Sequence, residues 1–307
     1  ASLSIYPPAG PVNQQIRRTM IVSFHGVAPH SSILRIVNRP QSPFFKGEIS
    51  DNACRKADND RFNEKPRSFL VESDDFDLCP ATGVTAAYWA IGHLQKIIPS
   101  LLLFFLLAAI ILFPAELAII LFAGKKEFGR YSLKSALVNQ KKPKAARTLL
   151  IGVMLFGLAG ILSIVVKPLE SLLTSPISGK LGAVLPAYFD WTNFELLRQY
   201  PKNMVLWTCI GYGVFNVFVG PVVEELFFRG YLTSKISRFG RRAPIIMTVL
   251  FSLYHLWLPF QNLFRISAFL PAAYMAWKEN NISIAIVFHC LCNLVSTVSF
   301  ILVLYSV

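Results

Sequence analysis

The sequence predicts an all-α protein: a polytopic membrane helical bundle of about six transmembrane helices, preceded by a polar N-terminal extension. Three observations carry this prediction. Hydrophobic residues make up 54% of the 307, with 25 Phe, more than an ordinary soluble domain carries. The apolar residues are gathered into runs, most of them long enough for the ~20 residues that cross a bilayer core. The net charge of +13 comes largely from bases placed between those runs.

Residues 1–80 mix Pro, Ser, Asn and charges, with Asp74, Asp75 and Asp77 near the end and little sustained periodicity. Such a segment cannot bury enough apolar surface to offset the entropy of ordering, so a poorly ordered extension is expected. Residues 81–202 hold the N-terminal transmembrane helices. Their first run, Ile97 to Ala123, is interrupted by Pro114 and Glu116 and reads as one kinked helix or two half-helices. A basic loop over 124–147 leads to the second run, Thr148 to Val166. Residues 203–307 form the core that carries chemistry, with runs from Met204 to about Phe228, Ala243 to Phe260, Ile266 to Trp277 and Asn281 to Ser306. The run over 266–277 is short. It reaches span length only by recruiting 261–265, and is otherwise buried in protein or re-entrant.

Charge placement tests the six-span scheme independently of hydropathy. The loop 124–147 carries Lys125, Lys126, Arg130, Lys134, Lys141, Lys142, Lys144 and Arg147 against Glu127. Short basic loops face the cytoplasm. Alternate loops agree: Arg229, Lys235, Arg238, Arg241 and Arg242 follow the third run and Lys278 the fifth, whereas the loop 167–202 has four bases and three acids. The same scheme puts the extension on the far side unless the first run is a hairpin. Charge placed this way makes membrane lipid the expected partner and nucleic acid the poorer one. The cysteines, Cys54, Cys79, Cys209, Cys290 and Cys292, are odd in number and indicate no disulfide framework. Cys290 and Cys292 point apart on a helix and serve packing rather than a metal.

From Pro201 to Val307 the acids are Glu224, Glu225 and Glu279, and the histidines are His255 and His289. Adjacent carboxylates beside hydrocarbon are costly, so a membrane segment that keeps them has a use for them. On a helix, positions four apart share a face and neighbours diverge by about 100°. Glu225 is therefore the partner for Arg229, and Glu224 is free to meet other helices. His289 and Asn293 share one face of the last helix by the same spacing, and His255 has no charge within its own run. Taken singly, the glutamates serve equally as an interfacial charge cluster, and His255, His289 and Asn293 more often as interhelical hydrogen bonds than as chemistry. Together they supply a carboxylate, an imidazole to help hold a water, and a His/Asn pair suited to an oxyanion. The reaction they best serve is attack of water on an amide. Glu224 takes the proton of a water positioned with His255, while His289 and Asn293 donate to the tetrahedral oxygen.

The ordered set Glu224-Glu225-x-x-x-Arg229, Phe251-x-x-x-His255 and His289-x-x-x-Asn293, each on an apolar segment, resembles the CAAX protease and bacteriocin-processing family of intramembrane endopeptidases, and the CAAX prenyl protease type 2 group within it. The resemblance covers about Met204 to the C-terminus. It implies an all-helical membrane fold with a water-filled cavity between helices, opening toward the cytoplasm in members that trim prenylated proteins. By resemblance, Glu224, His255, His289 and Asn293 are catalytic and Glu225 and Arg229 support them. The implied substrate is a membrane-associated peptide, a prenylated protein with a C-terminal CAAX tail among the candidates. The implied location is a cell membrane in a bacterium, or an endoplasmic reticulum or organelle membrane in a eukaryote.

No cofactor is expected. One Glu and two His could form a zinc site, but the His-Glu-x-x-His helix of metallopeptidases is absent, and Asn293 beside His289 suits an oxyanion better than a metal. A glutamate-driven mechanism without metal is the first reading and zinc the second. Phe227, Phe228, Phe251 and Trp257 suggest a lipid-facing opening for an isoprenoid or a transmembrane peptide. The alternatives to an enzyme are a non-catalytic scaffold or bacteriocin-immunity protein on the same fold, and a proton-coupled transporter. The last would want polar groups through both leaflets, and here they cluster toward one.

Overall fold

The computed structural model describes residues 80–306 apart from 139, 183 and 192. The extension expected over residues 1–80 therefore lies outside the described residues, except for Pro80. Among the described residues all regular structure is helical. The principal helices are α1 (Pro80–Ile91), α2 (Ser100–Phe128), α3 (Ala145–Gly182), α4 (Lys202–Lys235), α5 (Ala243–Tyr254), α6 (Asn262–Glu279) and α7 (Ser283–Tyr305).

Helices α2, α3, α4 and α7 are long and apolar enough to cross a membrane, and the protein is an integral membrane protein. The fourth and fifth apolar runs differ from the six-span expectation. They form α5, of 12 residues, and α6, of 18, both shorter than the ~20 needed to span. Helix α5 stops because His255 leaves helical conformation, at φ −79° and ψ 63°. Pro259 then disfavours a helical Leu258, so the chain breaks between Tyr254 and the 3-10 turn Pro259–Gln261 that leads into α6. Helix α6 is buried along Ala268, Ala272, Ala273 and Ala276, small residues that let neighbouring backbones approach.

Helix α2 resolves the kink-or-hairpin alternative as one continuous helix, with a widened π-helical turn over Ala108–Leu112. Proline explains the widening: Pro114 lacks an N–H and its ring crowds the carbonyl four residues back, which the wider turn accommodates. The helix ends at Gly129, whose φ of 75° lets its N–H reach the Lys125 carbonyl at 3.0 Å. Helix α3 runs on to Gly182 through Pro168 and Pro176, well past the Val166 expected from hydropathy. Only 17% of its most apolar window is buried, so its outer face meets lipid. Its inner face packs on α7 at Gly152, where a Cβ would come within 2.6 Å of Val287 Cγ1.

An aromatic knot holds the end of the bundle where α1 meets the segment after α3. The Tyr88 ring packs edge-on against Phe104, Tyr188, Phe189 and Trp191. Its hydroxyl donates to the Tyr188 carbonyl and accepts from Trp191 Nε1 at 2.9 Å. At the opposite end Lys235 pairs with Glu127, tying α4 to α2, and Ser135 Oγ donates to the same carboxylate at 2.8 Å.

Candidate active site

Helix α4 carries the two adjacent glutamates on a short α-helical stretch, Gly220–Glu225, between π-helical stretches Tyr212–Val219 and Leu226–Leu232. Pro221 accounts for the first, since it can neither donate to nor closely approach the carbonyl four residues back. Widened turns of this kind rotate the side chains that follow and free carbonyls, and they recur at functional sites.

Glu225 is fully buried and Arg229 is 6% exposed. Arg229 Nε lies 3.2 Å from Glu225 Oε2, the pairing that the spacing of four selects. The pair is charge-to-charge rather than a directed hydrogen bond, for none of the three guanidinium nitrogens has a hydrogen-bond acceptor. Instead the guanidinium lies over Phe251, 4.1 Å from the ring centre, with Phe269 at 5.7 Å. These aromatic faces stand in for missing acceptors, a favourable setting for a desolvated cation.

Helix α7 brings His289 against Glu225, with Nδ1 3.0 Å from Oε1, while its Nε2 stands 4.0 Å from Glu224 Oε2. His255 faces the same carboxylate atom from the end of α5, its Nε2 at 3.9 Å. His255 Nδ1 is 2.7 Å from the Phe251 carbonyl. A carbonyl only accepts, so Nδ1 carries the proton; burial disfavours the charged ring, and the neutral form presents the Nε2 lone pair to Glu224. The three helices thus converge on one oxygen, Glu224 Oε2, in a residue 7% exposed. Asn293, one turn beyond His289, donates from Nδ2 to the Asn216 carbonyl at 2.8 Å, within the first widened stretch of α4. The second N–H of that amide is left for another acceptor. Asn216 in turn donates to Thr297 Oγ1 at 3.0 Å, so α4 and α7 are joined along the site's length.

Glu116 of α2, read from sequence only as an interruption, is fully buried here. Its Oε1 accepts from the Tyr254 hydroxyl at 2.8 Å, its Oε2 has no partner, and it lies within Coulombic reach of Glu224. The signal was present as an uncompensated acid inside an apolar run. Arg265 of α6 is likewise buried beside the site. The four aromatics expected to face lipid do not: Phe227, Phe228, Phe251 and Trp257 are buried, at 7% exposure or less. They stack on one another and on Tyr254 and His255 as the wall of the polar cluster.

Glu224, His255 and His289 are the set a metal would use. As they stand, no three His, Cys, Asp or Glu side chains among the described residues are grouped to hold one.

A helical membrane bundle that encloses paired glutamates and two imidazoles has the character of an intramembrane peptidase. Residues 206–295 match the family model described as Rce1-like, type II CAAX prenyl endopeptidase Rce1-like. No curated protein and no solved structure matches the chain. The matched segment contains Asn216, Glu224, Glu225, Arg229, His255, Arg265, His289 and Asn293; Glu116 lies outside it.

Proposed function

We propose that the protein is an intramembrane endopeptidase that hydrolyses a peptide bond in the prenylated C-terminal tail of a membrane-associated protein. The observation that carries this reading is the pair of gaps at Glu224 Oε2, 3.9 Å to His255 Nε2 and 4.0 Å to His289 Nε2. A water about 2.8 Å from both Glu224 Oε2 and His255 Nε2 would subtend roughly 90° between them, close to the angle of its two O–H bonds. Both protein atoms are acceptors, so such a water is held by its hydrogens with a lone pair free to attack. Its oxygen adds to the scissile carbonyl carbon as Glu224 takes the proton. The developing oxyanion is met by Asn293 and by His289, which in this role carries a proton on each nitrogen, Nδ1 toward Glu225 and Nε2 toward the oxygen. Collapse breaks the C–N bond, and Glu224 returns its proton to the leaving amine.

Glu225 and Arg229 support this arrangement by fixing the His289 ring. No metal enters the steps, and exhaustive chelation tests that: cleavage should persist, and activity restored only by stoichiometric zinc would sink the metal-free route. The primary experiment is cleavage of a farnesylated C-terminal peptide by purified, detergent-solubilised protein. Wild type should cleave, and Glu224→Gln should lose at least ~10²-fold, the usual contribution of a general base. Full activity in Glu224→Gln would remove that residue from the role.

A further inference from the structure

We propose that Arg265 forms the subsite for the free C-terminal carboxylate of the substrate peptide. Among the described residues, Arg229 and Arg265 are the buried Lys or Arg side chains. Arg229 has its carboxylate and its aromatic faces. Arg265, 7% exposed, has neither: Nη1 donates to the Ser252 carbonyl at 3.0 Å and to Asn262 Oδ1 at 3.3 Å, both neutral acceptors. Among the described residues no ion pair joins it to an acid, although Glu224 and Glu170 lie within Coulombic reach. Glu170 is committed to the start of α6, where its oxygens accept from the Leu263 and Phe264 N–H groups at 2.6 and 3.4 Å. Glu224 faces the imidazoles.

A guanidinium taken out of water without a carboxylate in direct contact is costly, and inside a membrane protein such a group marks a functional site by default. The mount is rigid. Ser252 Oγ donates to Asn262 Oδ1 at 2.9 Å, so α5 and α6 hold the guanidinium between them, one turn before His255. The cation is also within Coulombic reach of His255, so it belongs to the same polar interior. The nitrogens that Nη1 leaves over form a planar fork suited to a carboxylate. An endopeptidase that releases a short C-terminal peptide has such a group a few residues beyond the scissile bond. The subsite rests on the endopeptidase reading of Glu224.

The test compares two farnesylated peptides of one sequence, one ending in a free carboxylate and one amidated. Wild type should show at least tenfold higher kcat/KM for the acid, mostly through KM. Arg265→Gln should collapse that ratio toward one, and Arg265→Lys should keep part of it. Equal cleavage of acid and amide by wild type would overturn the subsite while leaving the peptidase reading intact. So would an Arg265→Gln variant that loses both peptides in equal proportion. An amidated peptide ending in Glu that is cleaved like the acid would assign the cation to a side chain instead. Should Arg265→Gln not fold, the wild-type ratio decides alone. Cleavage of neither peptide by wild type would remove the endopeptidase reading and the subsite with it.

Discussion

The roles of single residues divide by what each one touches. Glu224 touches only imidazoles across open gaps, whereas Glu225 is bound to Arg229 and His289 at 3.2 and 3.0 Å. Removing Arg229 would leave a fully buried carboxylate with only His289 as partner, a loss of about 3 kcal/mol. Arg229→Ala should therefore lower the thermal unfolding temperature in detergent far more than Glu224→Ala. Equal unfolding temperatures would mean the ion pair does not stabilise the bundle. The motif residues were legible in the sequence because helix spacing alone pairs Glu225 with Arg229 and aligns His289 with Asn293. Glu116 and Arg265 were not, because their importance depends on which helix they meet: Tyr254 lies 138 residues from Glu116, and Arg265 sits at the polar edge of a short run.

At the scale of the element, the decisive feature is where α5 stops. His255 sits just beyond the last helical residue, held to its own helix by its backbone N–H on the Ser252 carbonyl at 3.3 Å and its Nδ1 bond to Phe251. The neighbouring Tyr254 is tied through its hydroxyl to Glu116 on α2, which steadies that end. Tyr254→Phe and Glu116→Ala should each lower kcat about tenfold with KM little changed, and the double variant should be no worse than either single one. Glu116→Gln keeps an oxygen for the hydroxyl and should recover most of the loss. Additive effects in the double variant would show that the two act separately. A second contact is steric: Gly152→Val would force α3 away from Val287 on α7. It should cost about 1–3 kcal/mol, read as a lower unfolding temperature. The apolar runs announced the long helices correctly. They could not show that α5 would break after Tyr254 or that α3 would pass two prolines, since hydropathy does not register chain direction or neighbouring contacts that re-satisfy a proline's freed carbonyl.

For the whole molecule, charge asymmetry sets orientation. Bases crowd the segment after α2 and the segment after α4, and Lys278 stands in the last turn of α6, the faces the positive-inside rule assigns to the cytoplasm. With the natural cysteines replaced by Ser, Lys142→Cys and Val184→Cys should be labelled by an impermeant maleimide from opposite sides of sealed vesicles. Labelling from one side would undo the assignment. All-helical membrane architecture was evident from composition and runs, because a bilayer leaves the backbone few other ways to satisfy itself. The ion pair between Glu127 and Lys235 also fixes a distance. Glu116 and Glu224 each lie eleven residues back from it along their helices. At 1.5 Å per residue the site is roughly 16 Å below that level. A polypeptide drawn in from that end, fully extended at ~3.3 Å per residue, needs about five residues to get there. On the peptidase reading proposed above, the bundle would act as a ruler as well as a reaction chamber: bonds closer than that to a folded domain would stay out of reach.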